Sequence, residues 1–91
     1  MKIQFEAGMG NHYEGSVNYL ISDDRTLYAE CAVPDRASDD YGYMTMKAAL
    51  IEAYKAAGGD PADLEFWYDG QEQYLEADAY VDCEVYTEVD F

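Results

Sequence analysis

The sequence predicts an α+β fold: an antiparallel β-sheet of four to five strands with one α-helix packed on one face, in the order βββαββ. Three observations carry this. Segments near residues 2–7, 16–22, 26–33 and 74–91 alternate with period 2, as half-buried strands do. One segment, residues 43–57, has helical spacing and is rich in strong helix formers. The loops between the first three alternating runs are short, which makes them antiparallel neighbours. With 91 residues there is room for one core and one domain, residues 1–91.

In the first run Ile3, Phe5 and Ala7 share a face, and Gly8, Gly10 and Asn11 end it. Residues 16–22 place Val17, Tyr19 and Ile21 together, and Asp23-Asp24 signals a turn. Residues 26–33 place Leu27, Ala29, Cys31 and Val33 together before Pro34 stops the strand. Cys31 and Cys83 both fall on apolar phases, as buried thiols do. The helix follows, with Ser38, Asp39 and Asp40 as N-cap candidates and Tyr43, Met46, Leu50, Ala53 and Ala57 as its buried stripe. Lys47, Glu52 and Lys55 take the outer face, and Gly58-Gly59 supplies the left-handed stop. Residues 64–68, Asp69-Gly70 and the run after them read as a hairpin, since Asp-Gly favours a type I′ turn. In that register Tyr68 opposes Gln71, Phe66 opposes Gln73 and Leu64 opposes Leu75. A short helix capped by Asp60 with Pro61 at its first position is the rival reading of residues 61–68.

Residues 74–91 (YLEADA, YVDCEV, YTEVDF) repeat a hexad of Tyr, x, acid, x, acid, x three times. As a strand, the run sends Leu75, Ala77, Ala79, Val81, Cys83, Val85, Thr87, Val89 and Phe91 to one face. Tyr74, Glu76, Asp78, Tyr80, Asp82, Glu84, Tyr86, Glu88 and Asp90 go to the other. Fully extended it would reach ~60 Å at ~3.3 Å per residue, so a bend is expected near Ala77–Ala79. Glu6, Tyr28, Glu30, Glu65 and Trp67 share the outward phase.

Charge is the dominant compositional feature. Asp plus Glu number 20 and Lys plus Arg 5, a net −15, and residues 60–91 hold 11 acids with no Lys, Arg or His. A field of that sign repels nucleic acid and anionic membranes, so neither is expected as a direct ligand. Leu, Ile, Val and Phe total 16 of 91 residues, below the ~20% that accompanies disorder in highly charged chains. Ten tyrosines, one tryptophan, two prolines and the sustained alternation argue for folding all the same. No apolar run approaches the ~18 residues of a membrane span. The first residues lack the apolar stretch of a signal peptide, and a cytoplasmic location is expected.

Catalytic chemistry is poorly supplied. His12 is the one histidine and sits among Gly and Asn, and no glycine-rich phosphate loop, EF-hand or Cys/His cluster is present. The chain is therefore expected to be no enzyme and to hold no cofactor or metal.

A mixed-sign face would keep the sheet soluble at lower electrostatic cost, because like charges opposite each other on neighbouring strands destabilise. The bias thus points to a partner-binding surface: Trp67, Asp69, Glu72, Tyr74, Glu76, Asp78, Tyr80, Asp82, Glu84, Tyr86, Glu88 and Asp90. Carboxylates would pair with Arg or Lys, and phenol rings would stack on guanidinium groups. Six hexad acids give one per ~10 Å at the strand rise, sparse beside the ~3.4 Å charge spacing of one DNA strand. Loop and edge acids such as Asp39, Asp40, Asp69 and Glu72 would have to fill in.

In size, acidity, tyrosine content and the pattern of residues 60–91, the chain resembles the small DNA-mimic inhibitors of phages and mobile elements, the anti-CRISPR and antirestriction proteins. That resemblance is one of physical type and includes no shared motif. It implies an inhibitor in the host bacterial cytoplasm that blocks the nucleic-acid site of a defence enzyme, its partner being a basic nucleic-acid-binding protein or nuclease complex. An immunity protein that neutralises a basic nuclease toxin, and an acidic structural or adaptor protein, are the alternatives.

Overall fold

The computed structural model describes residues 1–8, 16–34, 37, 39–68 and 81–88. They form a five-stranded sheet with one helix against it: β1 (Lys2–Glu6), β2 (Val17–Ser22), β3 (Leu27–Ala32), α1 (Tyr43–Ala56), a 3₁₀ turn (Pro61–Asp63), β4 (Glu65–Trp67) and β5 (Cys83–Thr87). The βββαββ order is as expected. The strands lie side by side as β4-β1-β2-β3-β5.

The sheet is mixed where an antiparallel one was expected. β1, β2, β3 and β5 pair antiparallel, but β4 runs parallel to β1, with Ile3 opposite Phe66. The single helix is the reason. It carries the chain back along the sheet after β3, so β4 enters in the direction of β3, which is also that of β1. Met1 anchors the junction. Its amino group donates to the Asp63 carbonyl (2.7 Å), and its carbonyl accepts from the Glu65 N–H (2.8 Å). Both readings of residues 61–68 hold in part. Asp60 caps the 3₁₀ turn by accepting from the Ala62 N–H, Pro61 is its first residue, and the strand follows. Residues 71–75, the expected hairpin partner, lie outside the described residues, as does the bend at 77–79.

The core is Ile3, Leu20, Leu27, Ala29 and Cys31 from the sheet with Tyr43, Met46 and Leu50 from the helix, all buried. The expected helix stripe is present at Tyr43, Met46 and Leu50, while Ala53 is half-buried and Ala57 exposed. The helix ends as expected. Gly58 has φ +93°, its N–H donates to the Lys55 carbonyl, and the Gly59 N–H donates to that of Tyr54, the paired bonds of a Schellman stop.

The helix start differs. Asp39 and Asp40 are not caps, and Ser38 lies outside the described residues. The N-cap is Gly42, left-handed at φ +79°, with no side-chain cap. It is buried, and a Cβ placed on it would sit 2.4 Å from Cys31 Sγ. Only a residue without a side chain lets the helix begin so close to β3.

β2 inverts the hydropathy pattern. Ser16, Asn18, Leu20 and Ser22 are buried, whereas Val17, Tyr19 and Ile21 are half-buried. Side chains of opposite parity leave opposite faces of a strand, so the apolar trio lies on the face away from the helix. Asn18 and Ser22 are tolerated inside because their side chains are bonded. Asn18 Nδ2 donates to the Asp39 and Tyr41 carbonyls, both at 2.9 Å, and Asn18 Oδ1 accepts from the Gly8 N–H. Ser22 Oγ accepts from the Thr26 and Leu27 N–H groups and donates to Asp24. Hydrogen bonding removes most of the cost of burying such groups.

Candidate functional site: the open face of the sheet

Among the described residues no element covers the face opposite the helix, and the strand registers set its side chains in rows that cross the strands. One row reads Trp67, Gln4, Ile21, Tyr28 and Tyr86; the next reads Glu6, Tyr19, Glu30 and Glu84. An apolar and aromatic row therefore lies beside an acidic one. From β1 to β5 the acidic row spans three strand intervals, ~14 Å at ~4.8 Å each. Its three carboxylates fall at about one per 7 Å, denser than the hexads read along a strand and half the charge density of one DNA strand. Val17 and Ala32 floor a shallow hollow beside that row, ringed by Glu30, Asp82 and Glu84.

The rings form a ladder. Tyr19 and Tyr28 have centroids 5.6 Å apart, and Tyr28 and Tyr86 lie at 5.9 Å. Glu30 and Glu84 sit directly opposite each other, an arrangement that destabilises unless donors intervene. The phenols are those donors. Tyr28 Oη donates to Glu30 at 3.1 Å, and Tyr86 Oη lies within reach of Glu84 and, at 3.5 Å, of Glu30. The Tyr28 hydroxyl is pushed up to about 12, first by burial and then by its bond to Glu30. The Tyr86 hydroxyl also rises to about 12, mainly through its bond to Glu84. Both therefore stay protonated and donating at neutral pH.

The sheet face is not purely acidic. Lys47 and Lys55 belong to the helix, Lys55 pairing with Glu52 at 3.4 Å. Lys2, however, stands on the open face with Nζ 4.7 Å above the Trp67 ring. Arg25 lies in the β2–β3 turn and, with Lys2, borders a hollow there. The face thus runs from mixed charge at that end to Glu6, Glu30, Asp82 and Glu84 at the other.

Of the expected contact residues, Trp67, Asp82, Glu84 and Tyr86 are exposed, Trp67 and Tyr86 being the large exposed rings among the described residues at 47% and 43%. Trp67, Glu84 and Tyr86 stand in the rows. Glu88 is exposed but leaves the strand with φ +59°. Asp69, Glu72, Tyr74, Glu76, Asp78, Tyr80 and Asp90 lie outside the described residues. Val17, Tyr19 and Ile21 enter the face unforeseen, because strand parity cannot say which parity points outward when both contain apolar residues. Asp39 and Asp40 border a hollow shared with Gln4 and Trp67 of the first row and with Phe5 and Tyr68, where Tyr68 Oη donates to Asp40 at 3.2 Å.

Among the described residues no three His, Cys, Asp or Glu side chains are grouped to hold a metal ion. No described helix is long and apolar enough to cross a membrane. No protein-family model, curated protein or solved structure matches the chain.

Proposed function

We propose that the protein is a non-catalytic inhibitor that imitates nucleic acid. Its open face occupies the DNA or RNA site of a basic defence enzyme of the bacterial host cytoplasm, as anti-CRISPR and antirestriction proteins do. The carrying observation is the cross-strand row Glu6, Glu30 and Glu84, flanked by Asp82 and set beside Tyr19, Tyr28 and Tyr86. Cationic side chains that otherwise hold phosphates meet carboxylates there and lie against rings. The Tyr28 and Tyr86 hydroxyls ease the opposition of Glu30 and Glu84 in the free chain, and the cations of a basic partner add the charge neutralisation that neutral donors do not. The compactness of the row, ~14 Å by strand spacing, also favours a second reading: an immunity protein plugging the active site of a basic nuclease toxin.

The test starts with capture of a partner from a bacterial lysate, followed by competition with a labelled duplex for the captured protein. Mutually exclusive binding is expected, with an association rate that falls steeply up to physiological salt. A ternary complex of target, duplex and this protein, with neither ligand weakening the other, would overturn the mimic reading. A partner whose nuclease activity is blocked but whose duplex binding is untouched would select the immunity reading.

A further inference from the structure

The two cysteines are distant in sequence and adjacent in space. Cys31 on β3 and Cys83 on β5 sit directly opposite each other in the antiparallel register. Both point to the helix side and pack in or against the core, Cys31 buried and Cys83 partly accessible. Residues opposite each other in an antiparallel pair have Cα atoms ~4.5–5.5 Å apart. Disulfides span Cα separations of ~4.4–6.8 Å, so the backbone already stands at bridging distance. The Cys31 thiol and the Val81 side chain, just before β5, both lie near Gly42: a Cβ there would fall 2.4 Å from Cys31 Sγ and 3.7 Å from Val81 Cγ1. β5 is an edge strand of the described sheet, and edge strands fray at low cost compared with global unfolding.

We propose that Cys31 and Cys83 form an oxidative modification site, a dithiol whose co-substrate is a small-molecule disulfide such as oxidised glutathione. The more accessible Cys83 reacts first. Its thiolate attacks one sulfur of the small disulfide, forming a mixed disulfide and releasing one glutathione thiolate, which takes up a proton. As β5 frays, the Cys31 thiolate attacks Cys83 Sγ, the Cys83–glutathione bond breaks, and a second glutathione leaves. Two protein thiols are oxidised to one Cys31–Cys83 bond, and one small disulfide is reduced to two thiols. The cross-link pins β5, and with it Glu84 and Tyr86, to β3. It closes a loop of roughly 50 residues, long enough for a melting-temperature rise on the order of 10 °C. The site faces the core and does not depend on the binding role of the open face.

The experiment incubates the full chain, natively folded, with oxidised glutathione. It reads non-reducing peptide maps, intact mass and thermal unfolding. The expected result is a linked Cys31–Cys83 peptide in monomeric protein, a mass lower by two hydrogens, and a higher melting temperature that a phosphine reductant reverses. The Cys83→Ser variant should form no internal link, and oxidant should leave its melting temperature unchanged. Thiols that stay unmodified at equilibrium, a lasting glutathione adduct on Cys83, or a disulfide-linked dimer would each overturn the proposal. The wild-type peptide map decides the matter even if a cysteine variant does not fold.

Discussion

Gly42 and Gly58 share a positive φ and differ in surroundings, so replacing each by alanine separates strain from packing. Both have left-handed φ, +79° and +93°. A side chain in that conformation costs about 1–2 kcal/mol, and stiffening the unfolded chain returns about 0.4–1 kcal/mol. Around Gly58 a new Cβ meets nothing within 4 Å, so Gly58→Ala should cost only the remainder, about 1 kcal/mol. At Gly42 the new carbon would lie 2.4 Å from Cys31 Sγ and 2.9 Å from Cys31 Cβ. Carbon contacts settle near ~3.5–4.0 Å, so the helix start and β3 must separate by about 1 Å. Overpacking of that kind adds about 1–3 kcal/mol. Gly42→Ala should therefore cost about 2–4 kcal/mol and lower the melting temperature by roughly 10–25 °C. Urea unfolding followed by far-UV circular dichroism measures both variants. In a Cys31→Ala background the Gly42→Ala cost should shrink, because the nearer of the two clashing atoms is gone. Equal costs at the two glycines, within about 0.5 kcal/mol, would refute the reasoning and mean that α1 does not press on β3 at Cys31.

Three further outcomes are expected. Asn18→Ala should destabilise by about 2–4 kcal/mol in the same assay, since the Asp39 and Tyr41 carbonyls and the Gly8 N–H lose their buried partner; a cost under about 0.5 kcal/mol would mean water replaces it. Combined reversal of Glu30, Asp82 and Glu84 to Lys should keep the circular dichroism spectrum and abolish target binding in a salt-controlled titration; wild-type affinity in that variant would remove the open face as the interface. The hydroxyls of Tyr28 and Tyr86, raised to about 12 in the folded chain, contribute stability that is complete below pH ~10, the ordinary tyrosine value, and lost as pH rises toward 12. Tyr28→Phe should flatten that alkaline decline in urea unfolding at pH 9, 10 and 11, and an unchanged slope would count against the Tyr28–Glu30 bond.

Periodicity and charge carried much of the architecture and part of the site. Strand parity placed Ile3, Leu27, Ala29, Cys31, Val81, Cys83 and Val85 on the helix side, and helical spacing placed Tyr43, Met46 and Leu50 against them. These are local properties: alternate side chains leave opposite faces of a strand whatever its neighbours do. Parity likewise put Glu30, Trp67, Glu84 and Tyr86 on one common surface. Tertiary structure decided what depends on neighbours. β4 chose β1, running parallel, because one helix returns the chain to the far edge of the sheet. Asn18 and Ser22 turned inward, against hydropathy, because the backbone groups of the pre-helix turn and the β2–β3 turn meet their side chains there. Gly42, not an aspartate, opens the helix because Cys31 leaves no room for a side chain. The acidic row likewise exists only across strands: Glu6, Glu30 and Glu84 belong to three separate segments, and cross-strand register, which no single segment encodes, sets them side by side.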